Sequence, residues 1–263
     1  MHIDRRHRLA SRLIDVLRLR GPLFRWRERR LAAQAFAPEA APDGRPLPPP
    51  LLRVMVCGTA NPDYFLHSGR DTIAEFDSVL RATGGGLADA RALLDLGCGC
   101  GRLARWAPVD GARLTGIDIE PRLVRWCRDN LAGSWATVSL GAPLPAAPGA
   151  FDLVYACSVI THLRQDTARV WLAEIARVLE PGGRALVTFH DERHPNAQPV
   201  RDELAASGWA VRFDSLEGSN HLASFVTAEV LAELAAPALE LIDVRPSDGT
   251  ACKQAIAVFR RLG

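Results

Sequence analysis

Lysine is almost absent from this sequence, because Lys253 is the single lysine among 263 residues and arginine supplies the remaining basic charge. Long hydrophobic runs are absent as well, and no stretch approaches the roughly 20 apolar residues that a bilayer-spanning helix needs. The first residues, MHIDRRHRLA, have no apolar core after their charges and do not resemble a secretory signal peptide. We therefore expect a cytoplasmic protein without a transmembrane segment.

Paired cysteine motifs are also missing. The six cysteines occupy positions 57, 98, 100, 127, 157 and 252, and none forms a CxxC pair. Tetrahedral metal sites use wider spacing than the single residue between Cys98 and Cys100. The surroundings are mostly apolar or glycine-rich, so we expect reduced structural thiols, no disulfide and no bound metal.

The net charge of +2 is too small to indicate nucleic-acid binding, but its distribution is uneven. Ten arginines fall within the first 30 residues, and one helical stripe there carries Leu9, Leu13, Val16 and Leu17. Two interpretations remain open. The segment is a lid or contacts a membrane surface peripherally, or it is a solvated helix that packs on the domain through its leucines, which is commoner for a charge run.

The chain divides near residue 50. Residues 38–50 contain six prolines, which exclude a helix or a central strand and indicate a linker. We therefore expect a basic helical arm and linker over 1–50 and one domain over 51–263. With 48% hydrophobic residues, the chain can bury a substantial core.

Short apolar runs alternate with amphipathic segments after residue 91. Seven runs have strand character, at 92–96, 112–118, 135–140, 151–156, 184–190, 239–245 and 254–261. Helical spacing covers 71–80 and 166–179, the second with Asp166 as its expected N-cap. This alternation is typical of a parallel sheet with helices on both faces, and the last two runs predict an antiparallel addition at its edge.

The stretch LLDLGCGCGRL, residues 93–103, places three glycines directly after a strand. Glycine lets the backbone approach a ligand closely, and a helix beginning near Arg102 would direct its amides at that ligand. Because Arg102 replaces the third glycine of the dinucleotide fingerprint GxGxxG, a pyrophosphate cradle fits poorly. Asp95 favours a cation, and Asp118, at the end of the next strand, favours ribose hydroxyls.

Four motifs together resemble the class I S-adenosylmethionine-dependent methyltransferases. They are LLDLGCGCGRL, LTGIDIE, FDLVYACSVITHL and EIARVLEPGGRALVTF, and the resemblance covers roughly residues 52–261. Two further stretches, CGTANPDYFLHSGR and SNHLASFVTAEVL, are similar to a bacterial small-molecule or glycan-type branch. The resemblance implies a Rossmann-like doubly wound seven-stranded mostly parallel sheet with an antiparallel edge strand, behind an N-terminal helical extension.

The resemblance also implies a site for S-adenosylmethionine, which leaves as S-adenosylhomocysteine. Asp95 would lie near the ammonium group of the methionine part, with Asp118 and the adjacent Ile119 at the ribose. The remaining cofactor contacts would come from Gly97, Gly99 and Gly101, from Ser158 at the methionine part, and from Gly141 and Ala142 at the adenine. Arg70 is a candidate partner of the cofactor carboxylate, and a surface ion pair with Asp71 or Asp77 is an equal alternative.

Three histidines are candidates for a general base: His162, His190 and His221. A structural role is the commoner explanation for each one. The segment ACSVITHL lacks the acid or asparagine, paired prolines and aromatic residue typical of methyltransferases that act on nucleic-acid bases. We therefore expect no nucleic-acid partner and a small-molecule acceptor, methylated at O, N or S.

Other functions remain compatible with these motifs. The first alternative is a catalytically silent member of the fold that binds the cofactor or a partner. A dinucleotide oxidoreductase is disfavoured by the missing third glycine, and aminopropyl transfer stays open because fold alone does not fix function.

Overall fold

The computed structural model describes residues 20–34, 36 and 41–263. Its helices are α1 Arg20–Ala32, α2 Pro50–Cys57, α3 Pro62–Ala82, α4 Pro121–Asn130, α5 Gln165–Val178, α6 Arg201–Ser207 and α7 Ala228–Ala235. Its strands are β1 Leu93–Leu96, β2 Leu114–Asp118, β3 Ser134–Thr137, β4 Phe151–Ala156, β5 Leu179–Phe189, β6 Trp209–Arg212, β7 Ala223–Val226, β8 Leu239–Arg245 and β9 Ala255–Arg261. The arm residues Leu9, Leu13, Val16 and Leu17 lie outside the described residues.

Seven strands form one sheet in the order β3-β2-β1-β4-β5-β9-β8. Strands β1 to β5 pair in parallel, and β9 runs antiparallel to both β5 and β8. The predicted fold class is therefore confirmed, with the antiparallel pair at one edge and β8 as its outermost strand. The carboxyl ends of β1 and β4 flank the point where the strand order reverses, which is where open α/β sheets bind ligands.

The sheet is central because its strands are apolar on both faces. All four residues of β1 are buried, and so are five of the six in β4. Helices cover both faces and create two large hydrophobic clusters, one around Leu94, Trp171 and Val187 and the other around Phe76, Leu93 and Tyr155. Burial on both faces explains why these strands appear in the sequence as nearly continuous hydrophobic runs.

Helix boundaries differ from the sequence prediction at two places. Helix α3 begins at Pro62, well before the predicted 71–80, because the Asn61 side chain accepts hydrogen bonds from the first-turn amides. The expected N-cap at Asp166 is wrong. Arg164 occupies the N-cap of α5 without a side-chain cap, and Asp166 lies inside the first turn, where its charge complements the helix dipole.

The expected helix after the glycine loop is also wrong. Residues 101–103 form turns, and a single 3₁₀ turn follows at Ala104–Trp106. The loop therefore cannot use the dipole of a long helix, since that effect needs several aligned peptide units. Its individual amides and the side chains around them determine what it binds.

A second sheet of two short strands, β6 and β7, was not predicted. The strands pair antiparallel in the register Trp209 to Val226, and an isolated bridge joins His190 to Phe225. Each strand has only four residues, too few to give a clear alternating pattern. This unit positions the segment 213–222 above the carboxyl edge of the main sheet.

The described part of the proline-rich segment is packed against the domain. Asp43 accepts two hydrogen bonds from the Arg105 guanidinium, at 2.8 and 2.7 Å, and Arg105 is 4% exposed. Ala41 and Leu52 join a small cluster with Phe65 and Cys100. Among the described residues, no helix has the length and apolar character needed to cross a membrane.

Candidate functional site

A cavity of about 310 Å³ lies at the carboxyl edge of the sheet. Its floor comes from the segments that follow β1, β2, β3 and β4, which converge there because parallel strands end at one edge. Its roof comes from Met55 and Val56 of α2, Glu28 of α1 and residues 218–220. The predicted residues among its lining are Asp95, Gly97, Gly99, Asp118, Ile119, Ser158 and His162.

Neighbouring side chains pack tightly against the backbone of the glycine loop. Gly97 and Gly99 have φ values of 74° and 54°, in the left-handed region that favours glycine. A Cβ on Gly97 would lie 2.4 Å from Val159 Cγ2, and one on Gly99 would lie 2.9 Å from Val56 Cγ2. The third glycine, Gly101, does not line the cavity, and its Cβ direction meets Leu131 at 2.2 Å, so it serves packing beneath the loop.

Asp95 is a buried acid that lines the cavity. The Tyr155 hydroxyl donates to its Oδ2 at 3.0 Å, and the side chain is 2% exposed. Burial raises the pKa of Asp95 to about 7, and the nearby Asp118 adds to the rise. A cation beside Asp95 would stabilise its ionised form.

Asp118 is held by the backbone of two loops. The Gly99 amide donates to its Oδ2 at 2.8 Å, and the Glu120 amide donates to its Oδ1 at 2.9 Å. Burial raises the pKa of Asp118, and these hydrogen bonds oppose that rise. Each carboxylate oxygen keeps a further lone pair, so Asp118 can still accept hydrogen bonds from a ligand.

Carboxylates outnumber basic groups around the cavity. Among the described lining residues, the acids are Glu28, Asp95, Asp118 and Glu120, whereas Arg102 is the single arginine. Within the described residues, the Arg102 guanidinium donates to the Ser68 hydroxyl at 3.4 Å and the Cys157 thiol at 3.5 Å, and it forms no ion pair with a carboxylate. The cavity therefore favours a ligand with net positive charge that also carries an anionic group.

Ser158 follows β4 with a φ of 58°, which is uncommon for a residue with a Cβ. The Thr188 hydroxyl accepts from its amide at 2.7 Å, and the Gln254 side-chain amide donates to its hydroxyl at 2.5 Å. Thr188 in turn donates to Gln254 at 2.6 Å. This closed network holds Ser158 at the wall of the cavity in a strained conformation of the kind found at functional sites.

His162 is the predicted base that lines the cavity. Its Nδ1 lies 2.7 Å from the Leu222 carbonyl oxygen, which can only accept, so Nδ1 carries the proton. Burial lowers the pKa of His162, and the ring is therefore neutral near pH 7. Nε2 consequently keeps a lone pair that can accept a proton.

The other two histidines lie outside the cavity lining. His190 contacts the Ser224 carbonyl through Nδ1 at 3.1 Å and packs against His194 and Phe225. Burial lowers the pKa of His190 to about 3. His221 bonds to Glu28 through Nε2 at 3.2 Å and stacks on Phe24 with centroids 3.9 Å apart, so it joins α1 to the roof.

Three further predicted residues also lie outside the lining. Arg70 is largely exposed and forms an ion pair with Asp71 at 3.0 Å, as in the alternative interpretation of this residue. Gly141 is exposed and Ala142 is half-buried. After β3, the cavity is lined by Leu140 instead.

The sequence named none of the roof residues individually. Met55, Val56 and Glu28 precede the glycine loop by many residues, and Gly218 and Asn220 follow it at a greater distance. Asn220 donates to the Met55 carbonyl, and a Cβ on Gly218 would lie 3.0 Å from Ile119 Cδ1. No spacing rule connects these segments.

Potential metal ligands do not cluster in the described part of the chain, where no group of three or more His, Cys, Asp or Glu side chains could hold an ion. All six cysteines lie among the described residues, and each is a free thiol rather than part of a disulfide.

Known proteins share both sequence and fold with this chain. A family model described as a methyltransferase domain matches residues 94–187, which run from β1 into β5. The malonyl-[acyl-carrier protein] O-methyltransferase of Hahella chejuensis is 31% identical over 54% of this chain and 48% of its own length. The ubiquinone biosynthesis O-methyltransferase of Xanthomonas euvesicatoria is 32% identical over 60% of this chain and 66% of its own. The match thus spans about half to two thirds of these relatives.

Solved structures agree on the fold. The PH0226 protein of Pyrococcus horikoshii superposes with a TM-score of 0.54 at 16% identity, over 75% of this chain and 95% of that one. The N-methyltransferase NodS of Bradyrhizobium japonicum was solved with S-adenosyl-L-homocysteine. It superposes with a TM-score of 0.52 at 20% identity, over 80% of this chain and 96% of that one.

Proposed function

Because the chain belongs to the class I S-adenosylmethionine-dependent methyltransferases, we propose that it transfers a methyl group from S-adenosylmethionine to a small-molecule acceptor at O, N or S. The observation that carries this proposal is the acidic cavity at the carboxyl edge of the sheet, with a glycine loop, Asp95 and Asp118 in its wall. The similarity to a ubiquinone biosynthesis O-methyltransferase supports a small acceptor. We place the enzyme in the cytoplasm and expect no nucleic-acid substrate.

The residues around the cavity fit this cofactor. S-adenosylmethionine carries a sulfonium, an ammonium, a carboxylate and two ribose hydroxyls. The excess of carboxylates suits the two cations, and the free lone pairs of Asp118 suit the hydroxyls. Arg102, without a carboxylate partner among the described residues, suits the cofactor carboxylate.

The bound cofactor supplies an electrophilic methyl group on sulfur, and the protein mainly has to align it with the acceptor. Asp118 would hold the ribose and Asp95 the ammonium group. The strained Ser158 and the glycine loop would fix the methionine part. Roof residues from α2 and 218–220 would exclude water from the reacting atoms.

His162 would remove the acceptor proton. Its Nδ1–H bond to Leu222 orients the ring, and its Nε2 is unprotonated near pH 7. A base is required when the acceptor is a hydroxyl or a protonated amine. His190 has no such access, because it lies outside the cavity and packs between His194 and Phe225.

The first experiment is calorimetry of the full chain with S-adenosylmethionine, S-adenosylhomocysteine and NADH. We expect micromolar binding of both sulfur nucleosides and none of NADH. A screen then follows the labelled methyl group into the small-molecule fraction of a cell extract. Binding without any transfer would favour the catalytically silent alternative, and preference for NADH would overturn the cofactor assignment.

His162→Gln tests the base. We expect methyl transfer to fall by about 10²- to 10⁴-fold, the usual contribution of general-base catalysis, with unchanged affinity for S-adenosylhomocysteine. His190→Gln is the matched control and should keep its transfer rate in the folded fraction. Equal losses in both variants would contradict a catalytic role of His162.

A further inference from the structure

Helix α1 presents two chemically different faces. Phe24 and Glu28 are half-buried on the inward face, where both contact His221 beside the cavity roof. The outward face consists of exposed residues, which are Leu23, Arg25, Trp26, Arg27, Arg29 and Arg30. Only the inward face is used by the site described above.

The outward face is basic and partly apolar. Glu28 is the single acid in the helix sequence RGPLFRWRERRLA, and it points to the other side, where His221 binds it. The four outward arginines therefore have no acid on their own face. Between them, Trp26 is 55% exposed and Leu23 is 50% exposed. This face therefore combines positive charge, which attracts anionic headgroups, with an exposed tryptophan of the kind enriched at membrane interfaces.

We propose that the outward face of α1 binds an anionic lipid surface. Arginine side chains would bind the lipid phosphates, while the Trp26 and Leu23 side chains enter the boundary between headgroups and acyl chains. The excess of positive charge extends along the sequence, since residues 1–19 add five arginines against two aspartates, together with Leu9, Leu13 and Leu17. Each arginine near such a surface contributes about 1 kcal/mol, so four give appreciable binding.

A lipid surface explains this face better than a nucleic acid does. Single-stranded nucleic acids bind basic proteins through bases stacked on free aromatic faces. The Arg30 guanidinium already covers the Trp26 ring, 4.8 Å from its centroid. Leu23 has no role against phosphates, whereas it gains from burial at the acyl boundary.

Docking through this face would bring the cavity roof to the membrane, because Glu28 on the opposite side of the same helix lines the cavity. Membrane binding itself does not depend on methyl transfer.

The test is sedimentation of the full chain with vesicles of phosphatidylcholine alone, or mixed with anionic phosphatidylglycerol. We expect binding to the mixed vesicles only, released by high salt. In Arg25→Gln/Arg29→Gln, binding should weaken by about 25-fold, since each lost charge accounts for about fivefold. Arg169→Gln/Arg201→Gln, which removes two exposed arginines elsewhere, is the matched control and should bind as the parent does.

Trp26→Phe supplies an independent measurement. Quenching of tryptophan emission by brominated lipids should occur in the parent chain and be largely lost in this variant. Equal binding to both kinds of vesicle, binding to neither, or equal losses in the control variant would overturn the proposal. Capture by a homopolymer RNA without binding to anionic vesicles would assign the face to nucleic acid instead.

Discussion

Asp95 and Asp118 end or nearly end neighbouring strands, yet their surroundings give them different chemistry. Asp95 receives one hydrogen bond, from Tyr155, whereas Asp118 receives two from backbone amides. Burial raises the pKa of both, to about 7 for Asp95. Asp95 therefore changes charge within the physiological range, and a bound cation would favour its ionised form.

The titration of Asp95 predicts pH-dependent cofactor binding. Below pH 7 the free protein keeps Asp95 protonated, so a cation must displace that proton, and affinity for S-adenosylmethionine should fall by up to about tenfold per pH unit. Calorimetry from pH 5.5 to about 8 measures this. Asp95→Asn should bind more weakly and lose the dependence; a variant that keeps the same slope would assign the proton to another group.

The same shift predicts a stability change of the free protein. Because the folded pKa of Asp95 lies above its unfolded value of 3.8, its contribution to the free energy of unfolding is fully present below pH 3.8 and is lost as pH rises through about 7. Asp95→Asn should remove this loss. Denaturant titrations at pH 5 and about 8 compare the two proteins.

Asp118→Ala should weaken binding of S-adenosylhomocysteine by about 1.5–3 kcal/mol, the range for hydrogen bonds to a charged group. Glu120→Gln is the matched control. Glu120 also lines the cavity, but it binds the Arg122 side chain at 2.9 Å, and we expect a smaller effect. Unchanged affinity in Asp118→Ala, measured by calorimetry, would contradict its ribose role.

At the level of elements, α2 and the glycine loop act as one unit. Val56 occupies the space that a side chain at position 99 would need. Helix α2 ends at Gly58 in a left-handed C-cap, which fixes where Val56 meets the loop. The floor and roof of the cavity thus pack closely against each other at Gly99 and Val56.

Gly99→Ala should reduce binding of S-adenosylhomocysteine, since its Cβ would lie 2.9 Å from Val56 Cγ2 and its φ of 54° disfavours alanine. Val56→Ala opens that space, so the double variant should recover part of the lost affinity. The loss of affinity that the double variant still shows then measures the cost of the backbone conformation at position 99. A double variant no better than Gly99→Ala would show that the packing contact is unimportant for binding.

At the scale of the whole molecule, the ion pair between Arg105 and Asp43 holds residues 41–49 against the domain. Burial alone would raise the pKa of Asp43, but hydrogen bonds from Arg105 and the Arg45 amide lower it overall. The predicted linker is thus packed through its described part, and regular structure in that part begins only at Pro50, the first residue of α2.

Arg105→Met should lower the free energy of unfolding by roughly 1.5–3 kcal/mol, because it removes the two hydrogen bonds that Arg105 donates to the charged, half-buried Asp43 carboxylate. Arg91→Met is the control. Arg91 pairs with Asp152, but its side chain is 71% exposed, so the cost should stay below about 1 kcal/mol. If denaturant unfolding showed the same loss of unfolding free energy in both variants, the Arg105–Asp43 pair would not be an important source of stability.

The sequence by itself determined the sheet and the floor of the cavity. Strand residues buried on both faces, the glycine loop and the acid at the end of β2 are local patterns, so their positions follow from neighbouring residues. This is why the sequence places Asp95 and Asp118 at the carboxyl edge of the sheet, where the cavity lies. The helix after the loop and the N-cap at Asp166 were wrong because packing decided between locally similar conformations.

Tertiary structure alone decided the roof and the choice among the histidines. Glu28, Val56 and Asn220 meet only after the chain has folded, since contacts between distant segments leave no periodic pattern. The sequence offers no reason to prefer His162, His190 or His221 as a base. The differences among them come from burial and from the hydrogen-bond partner of each ring. Desolvation and hydrogen bonding are properties of the folded surroundings, which one sequence position does not carry.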